Sequence, residues 1–139
     1  MATEHTLPRP FRPLELDPGT LSFFELPALA GALREEDEYQ RSGVAAVTVA
    51  RDGPMTLVLV ALRKGARMRE HRAPSAAGVV VLTGRVAFLS DREPARRELG
   101  PGALATFASD VPHAVEALED AAYLVMIGGR ERPAAARSS

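Results

Sequence analysis

Three histidines, His5, His71 and His113, are the side chains of this chain best suited to metal or proton chemistry. Imidazole is a good borderline ligand, and its ordinary pKa lets it take and release a proton near neutrality. The chain has no cysteine, which excludes disulfides, thiolate metal sites and a cysteine nucleophile. A transition-metal site as a rule takes three or four protein donors. His71 and His113 therefore need a carboxylate, water or His5 beside them to hold an ion firmly. Leaving one ring nitrogen of a buried histidine unpaired costs about 1–3 kcal/mol, so each ring needs a partner wherever it is buried. The run Glu35, Glu36, Asp37, Glu38 reads as a solvated helix end rather than a carboxylate cluster. Arg96-Arg97 is too short for a nucleic-acid patch and is expected to face solvent on an edge strand. Ser90 and Ser109 have no nucleophile-elbow context. There is no phosphate-binding glycine loop of the P-loop kind.

The elements that must position these residues are strands. The chain has 139 residues, 46% of them hydrophobic and 25% charged, with a net charge of −1. That is the size of one ordinary domain with one core, and no global field draws it to nucleic acid or an anionic membrane. Pro8, Arg9, Pro10, Arg12 and Pro13 break up the N-terminus, so no signal peptide is expected there. No apolar run reaches the roughly 18 residues that span a bilayer. A cytoplasmic protein is expected.

Residues 1–42 read as an N-terminal extension. Its first 20 residues are proline-rich and extended, with Phe11 and Leu14 available to pack on the domain. A single short helix is expected from Leu26 to about Tyr39, with Pro27 in its first turn and Leu26, Leu29 and Leu33 at helical spacing. From residue 43 to 129 the pattern is short apolar runs bounded by Gly, Pro, Asp or Ser. They are Val44–Arg51, Met55–Arg63, Arg67–His71, Gly78–Thr83, Arg85–Ser90, Ala95–Leu99, Ala103–Phe107, His113–Leu118 and Ala121–Ile127. Such a rhythm predicts an antiparallel sandwich or barrel. Residues 130–139 are expected to be a flexible tail. Leu57 to Leu62 is apolar at every position, whereas a strand with one wet face should alternate. Either the N-terminal segment or a second subunit must cover its outer face.

The segment from Gly65 to Gly84 resembles the first motif of the cupin superfamily, with Gly65, His71 and Gly84 in place. Ala73 stands where the second histidine of that motif belongs, and Ala77 where the glutamate belongs. Gly102 and His113 match the second motif at the right separation. Ala108, Asp110 and Ala117 replace its proline, second glycine and asparagine. The resemblance covers roughly residues 43–128. It implies an all-β fold, an antiparallel double-stranded β-helix (a jelly-roll or cupin barrel), and partnership as a homodimer.

The resemblance also implies that the motif histidines point into the barrel. Side chains alternate along a strand. If His71 points in, Arg69 and Ala73 share its face while Glu70 has the wrong parity. If His113 points in, Val115 and Ala117 join it, and Ala77, Val79 and Val81 line the next strand. The expected pocket is lined by His71, His113, Arg69, Ala73, Ala77, Val79 and Ala117: two imidazoles, one guanidinium, otherwise alanine and valine. His71 and His113 are the metal-ligand candidates, for at most a weakly bound divalent transition metal, with Asp110 or His5 as a third donor. Phe88, Phe107 and Tyr123 are expected in the core. Three functions compete. The first is a module that binds a small, mainly apolar organic ligand, its acidic group met by Arg69. The second is a metal-dependent dioxygenase, isomerase or lyase using His71 and His113. The third is a partner-binding barrel with an inert interior.

Overall fold

The computed structural model describes residues 14–15, 21–52, 55–71 and 76–128; for 14, 15, 52 and 69–71 it describes the backbone alone. Two helices, α1 (Leu26–Arg34) and α2 (Asp37–Ser42), follow a short strand, β1 (Leu14–Glu15). Nine further strands come next: β2 (Val44–Asp52), β3 (Met55–Leu62), β4 (Arg67–His71), β5 (Ala77–Thr83), β6 (Val86–Ser90), β7 (Arg96–Leu99), β8 (Leu104–Phe107), β9 (His113–Ala117) and β10 (Ala121–Ile127). The six-stranded sheet has the order β1-β2-β3-β10-β5-β8 and the four-stranded sheet the order β4-β9-β6-β7. From β3 onward the chain crosses repeatedly between the sheets, which is the jelly-roll path that the cupin resemblance implied. All pairings are antiparallel except β1 on β2, where Leu14 lies opposite Ala50.

The core between the sheets is built from alternate residues of facing strands. Val60 and Leu62, Val79 and Val81, and Ala121 and Tyr123 come from one sheet; Val86, Leu99, Val115 and Ala117 come from the other. A second apolar cluster lies on the outside of the larger sheet. There Ala30 and Leu33 of α1 and Tyr39 of α2 cover Val47, Leu59 and Ala61. This explains the unbroken apolar run in β3. Val58, Val60 and Leu62 face the barrel, while Leu57, Leu59 and Ala61 face the helices. Of the two covers the sequence allowed, the chain supplies its own, and this run no longer argues for a second subunit.

The single helix expected over Leu26–Tyr39 is two helices. Glu35 closes α1, and Glu36 takes an extended conformation (φ −76°, ψ 149°) as the N-cap of α2. Glu36 is also buried, so the acid run is not one solvated face; Glu35, Asp37 and Glu38 are exposed. Gly43 ends α2 in the left-handed region (φ 81°) and donates to the Tyr39 carbonyl at 2.7 Å. The strand β1 was not expected, because short edge strands carry little periodic signal. No helix among the described residues is long and apolar enough to cross a membrane.

Candidate functional site

The histidine of the second motif is the first residue of β9. Before it the chain turns at Asp110, which is exposed and held at φ 67°, and passes Val111 and Pro112. His113 itself is buried, 3% exposed. Its Nδ1 lies 2.9 Å from the Val111 carbonyl oxygen. A carbonyl can only accept, so Nδ1 carries the hydrogen, and in the neutral ring Nε2 holds the lone pair. The imidazole packs against two phenyl rings, one from each sheet, that also touch each other. Phe88 of β6 stacks on it with centroids 5.4 Å apart and planes 9° apart. Phe107 of β8 meets it at 4.3 Å and 46°. The two phenyls are 5.7 Å from each other.

Backbone pairing puts His71 directly opposite His113 across β4 and β9, and Ser90 opposite His113 across β6 and β9. The two motif histidines thus share one rung of the smaller sheet. The pairing also slips between Met68, opposite Val115, and His71, opposite His113. Three residues of β4 span what two of β9 span, which is a β-bulge. Counting alternate faces back from His71 to Glu70 and Arg69 runs through this bulge, so alternation assigns neither residue a face. The Arg69 and His71 side chains, and all of His5 and Ala73, lie outside the described residues.

Ala77, Val79 and Ala117 are the described residues expected beside the histidines. Ala77 is buried on β5, and Val79 and Ala117 belong to the core between the sheets. None of the three carries a donor. Among the described residues no group of three or more His, Cys, Asp or Glu side chains stands together as an ion would need. Those residues by themselves do not fit a three-donor metal site.

Beside the Phe88–Phe107–His113 cluster lies a cavity of about 490 Å³. It sits where the free edge of the smaller sheet, β7, faces the free edge of the larger, β8. Phe88, Leu99, Ala103, Ala105, Phe107 and Val111 form its apolar wall. Arg97 lines it too, while both Arg96 and Arg97 are exposed on an edge strand as expected. Alternation separates the two arginines: Arg96 pairs with Glu98 at 3.2 Å, while Arg97 shares the cavity face with Leu99. The signal was in the sequence, since Leu99 two residues on had to face the core. Phe88 and Phe107 were expected as core residues, and they are also cavity wall.

No protein-family model and no curated protein matches the chain. Solved structures do. The fold is similar to a cupin superfamily protein from Desulfitobacterium hafniense, 15% identical with a TM-score of 0.62, over 73% of this chain and 88% of that one. It is similar to an RmlC-like cupin from Desulfovibrio desulfuricans, 23% identical with a TM-score of 0.60, over 68% and 90%. A conserved protein of unknown function from Streptococcus pyogenes matches at 22% identity and a TM-score of 0.58, over 70% and 88%. These likenesses establish the fold as a small cupin barrel.

Proposed function

We propose that this cupin-fold chain binds a small, mainly apolar organic molecule and does so without a tightly held metal. The observation that carries the reading is the cavity of about 490 Å³ walled by Phe88, Phe107, Leu99 and alanines. Its volume lies within the roughly 300–1,000 Å³ range of small-molecule sites, and such sites are mostly apolar with few polar anchors. Alanine at positions 73, 77 and 117, where the motifs call for donors, supports the same reading, because it removes polarity from the barrel.

A metal-dependent enzyme is the second reading. Its support is the rung shared by His71 and His113 and the Nε2 lone pair that the Val111 carbonyl enforces. The two readings separate on metal content. Untagged protein is analysed by mass spectrometry for iron, zinc, manganese, nickel and copper, beside a His71→Ala/His113→Ala double variant. Equal emptiness of both, also after incubation with each metal, is the expected result. Close to one ion per wild-type chain and none in the variant would transfer the function to the metal reading, with Asp110 and His5 the next residues to replace.

A further inference from the structure

Charge is distributed unevenly around the cavity mouth. Three other guanidinium groups of the smaller sheet and its loops find carboxylates: Arg85 and Arg96 both reach Glu98, at 3.5 and 3.2 Å, and Arg92 reaches Asp91 at 3.3 Å. Arg97 forms no hydrogen bond or ion pair among the described residues. Yet Arg97 is the one of the four on a cavity-facing strand position. It lies directly opposite Phe88 in the β6–β7 pair, and Leu99, its same-face neighbour, is 7% exposed. An exposed cation set beside an apolar wall, with no carboxylate partner among the described residues, is available to pair with an anion that the wall also holds. The planar guanidinium suits a carboxylate in particular, through two parallel N–H donors.

We propose that the cavity takes an amphipathic monocarboxylate, with Arg97 as its counter-ion and the Phe88–Phe107–Leu99 wall holding its aromatic or branched apolar body. This rests on the ligand-binding reading above and names its ligand class. The remaining charges on the lining are Arg92, already matched by Asp91, and Glu93 in the loop before β7. Glu93 opposes an incoming carboxylate, so it limits affinity where Arg97 supplies it.

The test uses 2-naphthoate and its neutral counterpart 2-naphthamide, titrated into the full chain by fluorescence and calorimetry. Wild type is expected to prefer the acid by about two- to fivefold, the range of one solvent-exposed ion pair. Arg97→Gln should abolish that preference and leave amide binding in place, while Arg97→Lys should restore part of it. Glu93→Gln should tighten the acid. Arg96→Gln, which removes the same charge from the opposite face, should change neither probe. All four replace exposed residues, and unchanged melting temperatures check their folding. If Arg97→Gln keeps the wild-type preference, the anchor assignment is wrong and the ligand-binding reading survives. If neither probe binds folded wild type, both are wrong.

Discussion

Burial moves the ionisation of Tyr123. It is 3% exposed in the barrel core, and desolvation pushes its pKa above the ordinary tyrosine value of 10.0. The unfolded chain gives up this proton near pH 10 and the folded chain holds it. Stability from this group is therefore full below pH 10 and falls as pH rises beyond it, by about 1.4 kcal/mol per pH unit. Urea denaturation at pH 9 and pH 11 should show that slope in wild type and lose this component of it in Tyr123→Phe. Near neutrality the variant should lie within about 1 kcal/mol of wild type, since the hydroxyl makes no hydrogen bond with the described residues. Two glycines give a sharper contrast. Gly84 sits at φ 78°, and a Cβ there would collide with the Asp120 carbonyl and lie 2.7 Å from the Ala121 Cα. Gly102 sits at φ 88° with open space around it. Gly84→Ala should cost about 2–5 kcal/mol and Gly102→Ala about 1–2 kcal/mol, read as shifts in denaturation midpoint.

At the scale of elements, the helices complete the larger sheet. Leu33 is fully buried on α1 against the outer face of β2 and β3. Leu33→Ala should cost about 2–5 kcal/mol in chemical denaturation, a loss that an exposed surface helix would not show. Arg63, at the end of β3, ties the second helix down: its Nη1 donates to the Tyr39 and Gln40 carbonyls at 3.3 Å, and its guanidinium lies 5.9 Å from the Tyr39 ring centre. The barrel strands were legible one by one, because apolar runs and turn residues are local signals. The break between α1 and α2 was not. Helical spacing of Leu26, Leu29 and Leu33 continues smoothly into Tyr39, and only the corner at buried Glu36 divides it. The bulge in β4 was equally silent, since a strand's sequence does not say which partner residue it faces.

For the whole molecule, binding and folding are linked. The cavity is walled by both sheets, so it exists only when they are assembled. A ligand held there stabilises the fold by about 2.7 kcal/mol at one hundred times its dissociation constant. A saturating series of 2-naphthoate should accordingly raise the melting temperature of wild type by roughly 5–10 °C, and that of Arg97→Gln by much less at the same concentration.

Read alone, the sequence was enough to determine the nine barrel strands, and its resemblance to the cupins added the jelly-roll class, the two motif histidines and the missing donors at Ala77 and Ala117. The strands follow from local periodicity and turn chemistry, the rest from motif residues matched one by one. It also required that β3 be covered on both faces, without saying by what. Tertiary structure decided that α1 and α2 are the cover, that His71 lies opposite His113 on one rung, and that Arg69 and Glu70 lie within a bulge. It also decided that Arg97, on a strand far from His71 in sequence, lines the cavity. The physical reason is common to all four. Each depends on register or on contacts between strands far apart in sequence, and pairing across a sheet is set by which faces meet, which no single strand encodes.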